Sequence, residues 1–191
     1  MTPLQAVAHH VYPAMAREGL RRQGKRMWWE RREDGSWVIL EIQMRNGAPG
    51  ELGFTVNTGA WPPSTWEHQR ARVAHLADRE VPYATGAPIW QRPNGVAPRL
   101  WPSDDDFLFF GRTFDRERLG GGPREFLLAA LAWARARSDV EGALRCGISD
   151  YWAVAILRAV APGDPRLAAL QERYGLAVEP GPASGPAAAG H

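Results

Sequence analysis

The 191-residue chain predicts an α+β fold, an antiparallel β-meander of three to four strands with helices packed on one face. Three observations carry that prediction. Residues 36–45 and 51–58 alternate apolar and polar side chains, the period of a strand with two unlike faces. Asp34-Gly35 and Asn46-Gly47 supply hairpin turns on either side of the first of these strands. Apolar residues at helical spacing recur over 4–15 and 126–134, so helices are available to cover the apolar face.

The elements follow in order. Thr2 is a helix N-cap, with Pro3 at the first helical position and Gln5 completing a capping box. Leu4, Val7, Ala8, Val11 and Met15 form its apolar stripe, Pro13 kinks it, and Gly19 ends it in the left-handed conformation. Residues 25–31 are strand-like and lead into the Asp34-Gly35 turn. In the strand 36–45, Val38, Leu40, Ile42 and Met44 point one way, while Trp37, Ile39, Glu41, Gln43 and Arg45 point the other. In 51–58, Leu52, Phe54 and Val56 oppose Glu51, Thr55 and Asn57. A loop centred near Ala48 pairs Met44 with Leu52, Ile42 with Phe54, Leu40 with Val56, and Glu41 with Thr55. A one-residue slip would carry polar groups into the core, so the pattern resists it.

Trp61-Pro62-Pro63 stops the sheet, and Ser64 with Glu67 forms a capping box for a helix running to about Arg79. Residues 80–106 read as one long proline-rich loop, followed by a short buried strand at 107–110. Gly120-Gly121-Gly122-Pro123 leads into a helix at 123–137 whose apolar positions are Phe126, Leu127, Ala130, Leu131 and Ala134. Ser138 and Glu141 restart a short helix, Ser149 caps another at 150–161, and Asp164-Pro165 opens a last one closed by Gly175. Val38, Leu40, Ile42, Phe54 and Val56 are expected to meet Val7, Val11 and Met15 from one helix and Leu127 and Leu131 from another. The domain boundaries are 1–178 for a single domain and 179–191 for a disordered Pro/Gly/Ala tail.

Composition narrows the function classes. With 45% hydrophobic and 23% charged residues, the chain is not wholly disordered. No run approaches the ~20 apolar residues of a membrane-spanning helix, so no membrane partner is expected. The formal net charge is +2, and the 22 arginines (against Lys25 alone) are scattered through every segment. That bias reads as genomic composition, and the surplus is smaller than a dedicated nucleic-acid binder carries. Cys146 has no partner for an internal disulfide, and residues 1–20 do not read as a signal peptide, so a cytoplasmic location is expected.

The motifs also carry a resemblance. A helix, Gly19-Leu20, a strand with Met27-Trp28-Trp29, a strand ending Ile42-Gln43, and then Phe54-Thr55-Val56-Asn57-Thr58-Gly59 resemble bacterial proteins of the domain-of-unknown-function family 4304. Arg72-Val73 followed by Leu76 is similar to that family's Arg-aliphatic-x-x-Leu helix. The likeness covers residues 4–77 and thins to a general helical likeness over 120–174. It implies the fold and draws attention to Gln43 and Asn57; the family carries no established activity, so it implies no reaction.

The candidate site is the polar face of the meander: Glu41, Gln43, Thr55 and Asn57, flanked by Trp37 and Arg45. Its plain reading is a solvated sheet face. Its functional reading is a platform for a protein or small-molecule partner, since amides both donate and accept and Trp adds apolar area with one donor. If residues 80–102 fold over it, the platform becomes a pocket. The leading expectation is a non-catalytic binding module, in one version toxin-neutralising or pathway-accessory. The alternative is a small cofactor-independent enzyme with Glu41 as general base. A second alternative is nucleic-acid binding through 17–32, where seven positive and two negative charges accompany Trp28 and Trp29 but spread in several directions.

No cofactor and no metal is expected. His68 and His75 are separated by about 10.5 Å of helical rise, too far to share an ion, and the adjacent His9 and His10 diverge by about 100°. Asp104-Asp105-Asp106 reads as a solvated turn, and Gly120-Gly121-Gly122-Pro123-Arg124 as a linker matching no phosphate-binding loop. Cys146 reads as a buried structural thiol.

Overall fold

The structure, a computed structural model, describes residues 12–46, 52–100, 108–110 and 122–175. The alternation in the sequence produces two long strands, β3 (Trp37–Asn46) and β4 (Leu52–Trp61), at the middle of an antiparallel sheet. β1 (Arg21–Gln23) and β2 (Met27–Arg31) precede them, and β5 (Ile89–Gln91) and β6 (Leu108–Phe110) follow. The order is β1-β2-β3-β4-β5, with β6 also paired to β4. The class is α+β as expected, but among the described residues the sheet has six strands, not three or four. β1 and β5 are three residues long, too short to show a period.

The β3–β4 register pairs Met44 with Phe54, Ile42 with Val56 and Leu40 with Thr58. This is two residues from the expected pairing. Because side chains alternate with period two, the shift leaves every residue on its expected face. It also lengthens β4 to Trp61, which sits opposite Trp37.

On the apolar face lies the first core. α4 (Gly122–Ser138) buries Phe126, Leu127, Ala130, Leu131 and Ala134 against Val38, Leu40, Ile42, Phe54 and Val56. A helix over 12–17, α1, adds Ala14 and Met15. Its end is a Schellman motif around left-handed Gly19 (φ 81): the Leu20 N–H donates to the Met15 carbonyl and the Gly19 N–H to that of Ala16. Thr2, Pro3, Gln5, Val7 and Val11 lie outside the described residues. Arg135 ties α4 to the β2 margin. Its Nε and Nη2 donate to the two Glu30 carboxylate oxygens at 2.9 and 2.6 Å, and Nη2 also donates to the Glu18 carbonyl.

On the other face, expected to be a polar surface open to cover by residues 80–102, the structure builds a second core at one end. Met27, Trp37, Ile39 and Trp61 pack with Trp66, Leu76, Val81, Ala84 and Ala87. The cover is chain 62–87. α2 (Thr65–Arg72) stops short of Arg79 because Val73 turns extended, and a 3-10 turn follows at Ala74–Leu76. Ser64 has a left-handed backbone (φ 66) and makes no cap bond, while Thr65 Oγ1 donates to the Pro62 carbonyl at 2.6 Å. Within the expected loop 80–106 the chain forms a 3-10 turn at Ala84–Gly86, then β5, the one-turn helix α3 (Pro93–Val96) and another turn at Pro98–Leu100.

The C-terminal helices are α5 (Val140–Arg145), α6 (Asp150–Val160) and α7 (Pro165–Tyr174). Asp139, rather than Ser138, caps α5 by accepting from the Gly142 N–H, and left-handed Gly175 (φ 60) closes α7. Cys146 is exposed, not buried: it follows α5 in the turn before left-handed Gly147. Asp104-Asp105-Asp106, Gly120, Gly121 and the expected tail 179–191 lie outside the described residues. Among the described residues, no helix is long and apolar enough to cross a membrane.

Candidate functional site

Pairing across β3 and β4 brings the candidate residues together in rungs. Trp37 faces Trp61, Ile39 faces Gly59, Glu41 faces Asn57, Gln43 faces Thr55 and Arg45 faces Gly53. The rungs divide into a covered half and an open half.

The covered half begins at Trp37. The residue is only 6% exposed, its ring packs tilted (50°) against Trp29 at 5.3 Å between centroids, and the Arg31 guanidinium lies 5.3 Å from its own centroid. Trp37 is thus part of the second core rather than an open rim. At the next rung Gly59 has no side chain, and Ala84 lies directly on it. A Cβ at Gly59 would stand 2.8 Å from Ala84 Cα and 2.9 Å from the Ala84 oxygen. Trp61 fixes the same segment by donating from Nε1 to the Tyr83 carbonyl at 3.0 Å. The Ala84 N–H then points to Glu41 and donates to its Oε2 at 3.3 Å. Part of the proline-rich stretch therefore does fold over the sheet face, and half-buried Glu41 receives its backbone.

The open half holds Gln43 and Arg45, both exposed. On β4, Thr55 opposite Gln43 and Asn57 opposite Glu41 are 0% and 1% exposed. Asn57 Nδ2 donates to Gln43 Oε1 at 3.1 Å, a bond across the rungs. Thr55 Oγ1 and Asn57 Oδ1 are buried and have no hydrogen-bond partner among the described residues. A buried polar atom left so costs about 1–3 kcal/mol.

Strand pairing marks the same place. β3 occupies one side of β4 throughout. On the other side Leu52–Phe54 pairs with β6 and Thr58–Ala60 with β5. Among the described residues, Thr55, Val56 and Asn57 therefore have a strand neighbour on one side only. No sequence pattern announces this break, because it depends on where two three-residue strands dock.

The structure thus brings Glu41, Gln43, Arg45, Thr55 and Asn57 into one strip and withdraws Trp37 from it. Of the other titratable candidates, His68 packs on Tyr151 and Trp152, with His68 Nε2 2.7 Å from the Tyr151 hydroxyl. Among the described residues no group of three or more His, Cys, Asp or Glu is placed to hold a metal ion. Comparison of the chain with protein-family models, with curated proteins and with solved structures finds no match.

Proposed function

We propose that this protein is a binding module whose site is the strip of Gln43, Arg45, Thr55 and Asn57, with Glu41 holding the wall of that site. The occupant is a polar group of a small molecule or of a partner's chain. The observation that supports this reading is the pair of buried, unpartnered oxygens on Thr55 and Asn57, set beside exposed Gln43 and Arg45. A ligand donor offered to either oxygen would supply a hydrogen bond that the described residues do not make. The exposed Gln43 side chain is the movable part: its bond to Asn57 is replaceable by an equivalent bond from the ligand. Glu41 is assigned a positioning role because its Oε2 accepts from the Ala84 backbone. The resemblance in residues 4–77 fits this focus on Gln43 and Asn57 and adds no reaction.

The test is titration of isotopically labelled protein with small amides, carboxylates and phosphates, following the backbone amide resonances of residues 43–45 and 53–57. Saturable shifts are expected, and the double variant Gln43→Ala, Asn57→Ala should abolish them with its circular dichroism unchanged. Saturable binding that survives in that folded double variant would remove the strip as the site.

A further inference from the structure

At one margin of the sheet lies the β1–β2 hairpin. Among the described residues β1 has a strand neighbour on one side only, with Arg21 opposite Trp29, Arg22 opposite Trp28 and Gln23 opposite Met27. Left-handed Gly24 (φ 61) begins the turn, and Lys25 and Arg26 complete it. Arg21, Arg22, Lys25 and Arg26 are all exposed, so residues 21–26 gather four cations at one edge.

The backbone of the turn is fixed. The Tyr12 hydroxyl donates to the Lys25 carbonyl at 2.7 Å, and the Ile42 N–H donates to the Arg26 carbonyl at 2.8 Å. The turn is therefore tied to α1 and to β3 while its charged side chains stay at the surface.

The acids of the same stretch are engaged elsewhere. Residues 17–32 contain two carboxylates, Glu18 and Glu30. Both turn to Arg135 of α4: Glu30 accepts from its Nε and Nη2, and a Glu18 carboxylate oxygen lies 3.5 Å from its Nη1. Of the remaining cations, Arg31 stands 3.9 Å from Glu67, and Arg32 donates to the Arg135 carbonyl and to Ser138 Oγ. Among the described residues the four hairpin cations have no carboxylate partner. The formal net charge of the whole chain is only +2, but the fold has neutralised the acids that the sequence places beside these four.

Two of the four lie over aromatic rings. The Arg21 guanidinium is 5.4 Å from the Trp29 centroid, and that of Arg22 is 4.7 Å from the Tyr12 centroid. A guanidinium carried on a ring still offers a plane to a further flat group and its N–H fork to a phosphate. The large apolar side chains exposed among the described residues are Trp90, Tyr151, Val160 and Tyr174, none of them on the hairpin. A lipid surface is entered by such groups; a strand of phosphates and unpaired bases needs cations and stacking planes instead.

We infer that the β1–β2 hairpin binds single-stranded nucleic acid, its phosphates taken by Arg21, Arg22, Lys25 and Arg26 and its unpaired bases stacked on the Arg21 and Arg22 guanidinium planes. The hairpin shares no residue with the sheet-face strip, so the two readings stand or fall separately.

The experiment uses the full chain and a fluorescein-labelled oligothymidylate dodecamer, read by anisotropy. Saturable binding is expected, and three or four engaged phosphates give a slope of log affinity against log salt of about −2 to −3. The triple variant Arg22→Gln, Lys25→Gln, Arg26→Gln should weaken binding at least tenfold and flatten that slope, with circular dichroism unchanged. Arg99→Gln, Arg145→Gln, Arg173→Gln removes as much charge from other exposed positions and should leave affinity nearly intact. Arg21→Lys, Arg22→Lys keeps the charge but not the planes and should weaken binding several-fold. The inference is overturned if no binding saturates, which leaves the cations as guards of an exposed strand edge, or if the control triple variant loses as much as the hairpin variant. It is also overturned if the lysine pair binds as tightly as the parent, or if a duplex or polyglutamate of equal length displaces the probe as well as unlabelled single strand does.

Discussion

Gly59→Ala tests how chain 81–87 is held on the sheet. The added methyl would stand 2.8 Å from Ala84 Cα, 2.9 Å from the Ala84 oxygen and 3.1 Å from Ala87 Cβ. Two of these are backbone atoms, so no side-chain rotation relieves the clash. The segment must move outward or the strand must bend, and overpacking of this kind costs about 1–3 kcal/mol. For a chain of this size that corresponds to a fall in Tm of about 2–12 °C. Outward movement also lengthens the 3.3 Å bond from the Ala84 N–H to Glu41. The assay is a urea titration with a thermal melt, run beside Gly163→Ala. Gly163 has open space around its would-be Cβ and no positive φ, so alanine there is expected to be neutral or to stabilise by about 0.4–1 kcal/mol. If Gly59→Ala and Gly163→Ala are equally stable, the close approach is not what holds the segment.

Three further outcomes are expected. Thr55→Val removes a buried hydroxyl without a partner among the described residues while keeping the side-chain shape, and should stabilise by about 1 kcal/mol in urea titration; a loss of that size would mean the hydroxyl is satisfied. Arg135→Met strands the Glu30 carboxylate, 17% exposed, and should cost about 1–3 kcal/mol, with Glu30→Gln, Arg135→Met costing less than the sum of the two single changes. His68 has a pKa depressed by burial first and by the Arg72 charge second, so the unfolded chain binds the proton more readily. Its contribution is present above the ordinary value of 6.5 and is lost as pH falls through the lower folded value. His68→Asn should flatten that part of the stability–pH curve, and an unchanged curve would refute the assignment.

Much of the meander was legible from residues alone. Alternation assigned Val38, Leu40, Ile42, Phe54 and Val56 to one face, and the structure buries all five against α4. The two-residue difference in register was not legible, because period two is satisfied equally well by either pairing. Nor was the second core. Trp37 and Ile39 alternate in phase with Glu41 and Gln43, so the pattern gives no sign that one end of a face is covered and the other open. The cover depends on Gly59 admitting the Ala84 backbone, a contact between residues 25 apart with no motif of its own. Glu41 is similar: its partner is a main-chain N–H, which every residue but proline carries. Ser64 is the reverse case, a cap motif present in sequence whose residue takes a left-handed backbone and makes no cap bond.

The spacing of the first core along the chain has a consequence for how the protein is made. β3 and β4 form a local hairpin, complete once Trp61 has been synthesised. The helix that roofs them begins at Gly122, 61 residues later. At typical synthesis rates of about 5–20 residues per second, that interval is roughly 3–12 s. A β-hairpin forms in microseconds, so the pairing of the middle strands long precedes the arrival of α4. As that interval opens, Val38, Leu40, Ile42, Phe54 and Val56 have, among the described residues, only Ala14 and Met15 of α1 available to cover them, so most of that apolar surface faces solvent until α4 is made.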